Sequence, residues 1–413
     1  MKKRWFVIIV LCIIGISNWC FSQTLPFDTL LRRGKDEFEK YFENQDYQQA
    51  VFYLEQAVAL RPDNAEAHYF LGYAYSRLNT KDGNNLNESN VQLTLKTSEQ
   101  FEIVNRLSPK YEGEIVVLDP YSKLSSEWGS LAMTYWYKNM PDSAIWALHE
   151  GKKRGGFSDF FLSIFRKTLD FCLPNSILIS YGDNSSFSLF YLQILENYRT
   201  DITVFDISLL NTIWYPKLLL LKNELDFGLT EKELDSITYL EWKDSVITIP
   251  TSLYSEFTWT VKPSYEEKYL LRSDILFLNL LKTNRFGKEV YFVRGTDENC
   301  MLSLKDFLNS YILVEQISYD NSNKISLEEY KSKLFSIIDC FSVLNSNSRH
   351  ELNYVDFIRY EGYSKISELL NNNKTDDAKL IFNILNSELN PTKYPFQSEQ
   401  SSEYYDYLKS ILE

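Results

Sequence analysis

Between Thr29 and Gly156, small and aromatic residues return with a period of 34 positions, and this repetition constrains the fold of the 413-residue chain more than any other feature. The first unit is set by Tyr41, Asp46-Tyr47-Gln48-Gln49-Ala50, Leu54, Ala57 and Pro62. Ala50 and Ala57 let two helices approach closely, and Pro62 ends the second of them. The next unit begins near Ala65 and carries Leu71, Gly72 and Tyr75 on one helix, then Phe101, Val104 and Pro109 on the other. Tyr75 lies 34 positions before Pro109, whereas Tyr41 lies 21 before Pro62, so about 13 residues are inserted. Rich in Asn, Asp and Gly around Asp82-Gly83-Asn84-Asn85, they are expected to form an exposed loop. A third unit follows in Leu131-Ala132, Tyr135, Pro141-Asp142-Ser143-Ala144 and Leu148, and a helix over Phe160 to Phe171 is expected to cap the stack. Such units cannot bury their apolar faces singly and are stable only when stacked.

The pattern resembles the tetratricopeptide repeat, which implies an α-solenoid over residues 23–172 and a protein or peptide partner on its concave face. The signature residues themselves are packing residues, and the aromatic group Trp128, Tyr135, Trp136 and Tyr137 is read as core.

Residues 1–22 read as a secretory leader: Met1-Lys2-Lys3-Arg4, an apolar run of about 12 residues from Trp5 to Ile16, then Ser17 to Ser22 with cleavage expected before Gln23. The run is shorter than the roughly 18 residues a membrane-spanning helix needs. The mature chain is therefore expected in the periplasm or outside the cell; the alternative is anchoring by the leader or by a lipid on Cys20, against which Trp19 stands. No later stretch is long and apolar enough to span: Lys217 and Lys222 bound Leu218 to Leu221, and Asn279 interrupts Ile275 to Leu281. The net charge of −13 becomes more negative still without Lys2, Lys3 and Arg4, so nucleic acid is a poor partner. Cys172, Cys300 and Cys340 are too few and too scattered for a disulfide framework or a zinc site.

After Pro174 the periodicity changes. Ser176-Ile177-Leu178-Ile179-Ser180 is a buried-strand run, followed by Tyr181-Gly182-Asp183-Asn184-Ser185 and an amphipathic helix from Phe187 to Tyr198. Ile202 to Ser208 is a second run, and another helix follows Leu209-Leu210-Asn211-Thr212. Two strand-loop-helix units imply adjacent parallel strands with both polar loops at one carboxyl edge. Glu289 to Val293, after a helix near Asp274 to Lys282, is a third strand candidate. The candidate ligand-binding residues at that edge are Gly182, Asp183, Asn184, Asp206, Asn211 and Arg294, with Asp183 the weak candidate for catalysis. Gly182-Asp183-Asn184 reads equally as a turn and helix cap. The expected fold is thus α plus α/β: the solenoid, a small parallel Rossmann-like module over 173–300, and a helical region over 301–413 with a repeat-like hairpin from Tyr363 to Leu389.

Ser180 to Gln193, Arg199-Thr200-Asp201, Ser208 to Tyr215, Asp274 to Asn279 and Lys288 to Phe292 resemble, in order and spacing, the soluble C-terminal region of Bacteroidota protein O-mannosyltransferase-like membrane proteins, glycosyltransferase family 117. The likeness runs from about Leu173 to the C-terminus. It implies an extracytoplasmic α/β module fused to helical repeats and a link with surface glycans or protein glycosylation. The multi-span membrane region of that family, where sugar transfer is expected, has no counterpart in this sequence. Ser185 replaces the second acid of the family's loop, Ser188 its proline, and Ile213 an acid before Trp214-Tyr215. Two carboxylates are thereby missing from an edge where a hard cation or sugar hydroxyls would need oxygen ligands.

Other motifs carry no chemistry. His68, His149 and His350 stand alone, without a second ligand at helical spacing, and read as surface or core histidines. Gly151 to Gly156 lacks the ending of a phosphate loop, and Asp320 to Lys324 has Ile325 and Lys331 where a calcium loop needs Gly and Glu. No metal or cofactor is called for. Two readings remain: an envelope scaffold that binds protein partners, expected to show a filled apolar edge around Ile213, or an envelope enzyme acting on glycans or glycosylated protein, expected to show a concave acidic pocket at Asp183.

Overall fold

The computed structural model describes residues 25–81, 85–222, 224–251, 256–318 and 325–412. The leader and the Asp320 to Lys324 loop lie outside them. Among the described residues, six helices form three hairpins: α1 (Phe27–Glu39) with α2 (Tyr47–Leu60), α3 (Ala65–Thr80) with α4 (Val91–Leu107), and α5 (Pro120–Tyr137) with α6 (Pro141–Lys153). Local chemistry starts these helices. Asp46, Asn64, Asn90 and Asp119 each accept a hydrogen bond from a first-turn amide, and Pro120 and Pro141 occupy first-turn positions where no amide hydrogen bond is lost. Ala50, Ala57, Ala144 and Ala147 are fully buried where helices meet, and a Cβ on Gly34 would collide with Leu54.

Two expectations for this region need correction. Asp82 to Asn84 lie outside the described residues, but the part of the inserted loop that follows is not free: Leu86 is buried, its carbonyl accepts from the Thr134 hydroxyl on α5, and the Ser89 amide donates to Thr134 Oγ1 at 3.1 Å. One apolar residue in the polar run suffices to pin it. Helix α7 (Asp159–Asp170), expected to cap the stack, is itself covered by later parts of the chain. It buries Phe160, Phe161, Ile164, Phe165 and Leu169 between the repeats and the rest of the chain, and the Phe160 ring lies 5.2 Å from that of Phe341.

The sheet follows. β1 (Ile177–Ser180) runs into α8 (Asp183–Glu196), β2 (Thr203–Asp206) and α9 (Trp214–Leu221). A short helix α10 (Glu231–Ser236) and two antiparallel ribbons come next, β3 (Leu240–Glu241) with β6 (Tyr269–Leu270) and β4 (Ser245–Ile249) with β5 (Phe257–Val261). Helix α11 (Arg272–Asn284) leads to β7 (Val290–Val293), then β8 (Leu308–Ser310) and β9 (Val314–Ile317). The order is β2-β1-β7-β9-β8. The three strands expected from the sequence are parallel, Ile177 pairing with both Thr203 and Val290. The all-parallel expectation fails at the other edge, where β9 is antiparallel to β7 and to β8, so the sheet continues past residue 300 into the stretch expected to be helical. The turn of that hairpin holds Ile312 at φ 72°, a conformation β-branched residues rarely adopt, so no glycine or asparagine signals it.

Helices α12 (Leu327–Ile338), α13 (Arg349–Asn371), α14 (Thr375–Glu388) and α15 (Glu399–Leu412) complete the chain. The repeat-like hairpin is α13 with α14: Ala378, Phe382 and Leu385 are buried, and Leu385 packs where a Cβ on Gly362 would stand. One hydrophobic core extends from Leu86 and Trp128 through the sheet to Leu412, while the first two hairpins have clusters of their own. Helix α5 joins the two parts, with Phe187 of α8 lying against Gly129 and the rings of Trp136 and Phe190 6.0 Å apart.

Candidate functional site

From β1 the chain crosses through α8 to β2 on one side, whereas β7 pairs on the other, so the loops leaving β1 and β7 diverge at their carboxyl ends. Such a switch point opens a crevice in an α/β sheet. Each loop turns on a glycine, Gly182 at φ 82° and Gly295 at φ 91°, and a Cβ at either would meet nothing within 4 Å. Backbone conformation, not crowding, demands glycine there. Between the loops lies a cleft of about 440 Å³, walled by Phe161 and Phe165 of α7, by Tyr354 and Phe357 of α13, and by Tyr181, Leu118 and Val293. Its polar lining includes Asp183, Asn184, Ser185, Arg294, Thr296, His350 and Asn353.

Four of the six candidate residues, Gly182, Asp183, Asn184 and Arg294, meet at this cleft. Asp183 is the first residue of α8, where its charge suits the helix dipole, and it accepts the Ser126 hydroxyl of α5 at 2.5 Å. Gly182 is the cap position and makes no side-chain cap; the Ser185 hydroxyl donates back to the carbonyls of Tyr181 (2.6 Å) and Gly182 (3.0 Å). Arg294 is held by two carboxylates, Glu361 at 2.9 Å and Glu315. Burial pushes both of those carboxyls above their usual range, and the guanidinium partly offsets it.

The other two candidates turn away. Asp206 is buried, and its oxygens accept from the Ser186 hydroxyl, from the Ser208 amide (2.8 Å) and hydroxyl (2.5 Å), and from the Leu209 amide (3.2 Å). Burial raises its carboxyl pKa against those hydrogen bonds. It organises the 3₁₀ turn Ser208–Asn211, and with Asp183, Ser180 and Ser186 it lines only an inner cavity of about 60 Å³. Asn211 accepts the Ser273 amide at 3.0 Å and so caps α11 from outside. Ile213 is 60% exposed and does not line the cleft, so the apolar edge expected around it is not filled, while the concave cleft at the sheet edge carries the carboxylate of Asp183 among mainly apolar walls.

Sequence reasoning missed the aromatic wall, because α7 and α13 reach it only through packing. It also set His350 aside. That ring lines the cleft with Nδ1 3.3 Å from Asp119, whose carboxylate further accepts the His350 amide (3.0 Å) and the Ser348 hydroxyl (2.9 Å). Burial opposes ionisation of Asp119, but these bonds with the His350 and Ser122 contacts prevail and hold its carboxyl at about 2. His68 is a core histidine, bonded to Gln100 at 2.7 Å and to the Pro62 carbonyl at 3.0 Å. Among the described residues there is no group of three or more His, Cys, Asp or Glu placed to hold a metal ion, and no helix is long and apolar enough to cross a membrane.

Comparison with known families gives two matches. A model described as TPR repeat matches residues 39–79, which take in α2 and most of α3. A model described as TMEM260-associated domain 2 matches residues 162–224, which run from α7 through β1, the Gly182 to Asn184 loop and β2 to α9. TMEM260 is an O-mannosyltransferase-related family, in partial agreement with the resemblance read from the residues. No curated protein matches the chain.

Proposed function

We propose that this chain is an extracytoplasmic scaffold of the bacterial cell envelope that binds a protein partner through its helical repeats and takes a ligand in the cleft between β1 and β7, in a pathway of surface-glycan or protein glycosylation. The observation that carries binding over catalysis is the state of the polar groups at the sheet edge. Asp183 is engaged by Ser126, Arg294 by Glu315 and Glu361, and Asp206 by Ser186 and Ser208, which leaves a cleft walled mainly by aromatic and apolar side chains. Such walls with a few polar groups suit a binding site. The TPR match supports the protein-binding part and the TMEM260-associated match the link to glycosylation. The location rests on the leader at residues 1–22.

One observation favours a second reading, an envelope enzyme acting on glycans or glycosylated protein: Asp183 sits beside the cleft at the carboxyl end of β1. A thermal-shift screen of the chain from Gln23 onward against oligosaccharides, nucleotide sugars, polyprenyl-phosphate mimics and divalent cations separates the two. A ligand at one hundred times its Kd stabilises by about 2.7 kcal/mol. A shift lost in Tyr181→Ala and kept in Asp183→Ala is the result expected of a binding cleft. Turnover abolished in Asp183→Ala while the shift persists supports the enzyme, and the absence of any shift removes the cleft from the function.

A further inference from the structure

The connection from α4 to α5, Ser108 to Asp119, has twelve residues, where that from α2 to α3, Arg61 to Asn64, has four. The surplus turns back over the face formed by α1 and α3. It has neither helix nor strand, yet α3 grips its backbone. The Tyr69 hydroxyl receives the Val116 amide and donates to the Leu118 carbonyl, both at 2.9 Å. The Tyr73 hydroxyl receives the Leu118 amide (2.6 Å) and donates to the same carbonyl (3.1 Å). Side chains add two contacts: Glu114 pairs with Lys35 of α1 at 2.5 Å, and the Tyr111 ring stacks on Tyr69 with centroids 4.8 Å apart.

The two sides of this contact differ. Tyr69 and Tyr73 are buried, but Glu112, Glu114 and Val117 of the covering segment are exposed, and Lys35, which Glu66 also holds at 2.6 Å, keeps a partner when the half-exposed Glu114 leaves. The segment lies on the repeats as a bound peptide would, recognised through its backbone by two hydroxyls and through one acid by one lysine. On the next first helix, α5, the corresponding cover is α8.

We infer that Tyr111 to Leu118 is an intrachain ligand, and that the partner of the repeats is an unstructured peptide, bearing an acidic residue shortly before apolar ones, that displaces it from Lys35, Tyr69 and Tyr73. This rests on the reading of the repeats as a protein-binding scaffold. Tethering gives the strap an effective concentration on the order of millimolar, so a free peptide of the same sequence competes poorly with it until it is loosened.

Two measurements test this. In native-state hydrogen exchange of the chain from Gln23 onward, the Val116 and Leu118 amides exchange at least tenfold faster than the amides of Tyr69 to Tyr73, because the strap opens while α3 stays helical. Equal rates would show that the strap leaves only on unfolding, and overturn the inference without touching the scaffold reading, which the ligand screen judges separately. In the second, Glu114→Lys with Val116→Pro removes the ion pair and one donated amide. A fluorescent peptide spanning Tyr111 to Asp119 then binds this variant at least tenfold more tightly than it binds the wild type, with Glu112→Lys behaving as wild type. Equal binding to both, with helical circular dichroism retained, overturns the inference; if the variant does not fold, the exchange rates of the wild type decide.

Discussion

Glu351, in the first turn of α13, is 1% exposed and accepts the Asn345 amide at 2.7 Å. Burial pushes its carboxyl up to about 7, with the nearby charges of Asp119 and Asp159 adding to the rise. Because the folded value lies above the unfolded one, near 4.5, the native state holds this proton more tightly, and the stability it confers is full below 4.5 and lost as pH rises through 7. The wild type is therefore expected to lose about 2 kcal/mol between pH 5 and 7.5 relative to Glu351→Gln, read from urea midpoints at the two values. Parallel pH curves for the two proteins would contradict the buried acid. Asp119 works in the opposite sense: its depressed carboxyl contributes stability above 3.8 that disappears as pH falls towards 2. Between the two candidate aspartates the contrast is structural. Asp206→Ala strands the Ser186 hydroxyl in the interior and leaves the turn amides of Ser208 and Leu209 without their acceptor, and is expected to cost about 3 kcal/mol, whereas Asp183→Ala frees one hydroxyl and costs about 1 kcal/mol. Denaturant midpoints of the two variants, if equal, would place Asp206 outside the packing role assigned to it.

At the scale of elements the decisive contact is α5 against α8. A Cβ on Gly129 would collide with the Phe187 ring. An alanine there gains about 1 kcal/mol of helix propensity but overpacks the joint by roughly 1–3 kcal/mol, so Gly129→Ala is expected to destabilise or at best leave stability unchanged. A clear rise in melting temperature would mean that α8 does not sit against α5 as described. The hairpins α1 to α6 were legible in sequence because their signals are local: a period of 34, a proline that ends a helix, an alanine where helices touch. β8 and β9 were not, because their turn uses Ile312 where a glycine would have announced it. The same holds for α7, whose several phenylalanines look like those of any amphipathic helix until both of its faces are seen to be covered.

For the molecule as a whole, the continuous core from Leu86 to Leu412 makes the third hairpin, the sheet and the C-terminal helices one folding unit, with the first two hairpins stacked on it. A fragment of residues 173–413 is expected to show no sharp thermal transition, since Phe187 and Phe190 lose the α5 surface that covers them. A cooperative melt of that fragment, followed by calorimetry, would show instead that the sheet region stands alone. In repeat arrays, stability is close to a sum of unit and interface terms, so α1 and α2, whose cluster lies apart from the main core, are expected to exchange their amides faster than α5.

By itself the sequence determined the helical repeats, the three parallel strands and the two loops at their carboxyl ends, because periodicity, capping and turn chemistry act within a few residues of their cause. It also marked Gly182, Asp183, Asn184 and Arg294 as neighbours of one edge. Only the tertiary structure decided which way Asp206 and Asn211 face, that an aromatic wall from α7 and α13 closes the cleft, and that the chain lays Tyr111 to Leu118 over its own repeats. Those outcomes depend on contacts between residues far apart in the chain. Burial and hydrogen-bond satisfaction select such contacts only when every element is packed at once.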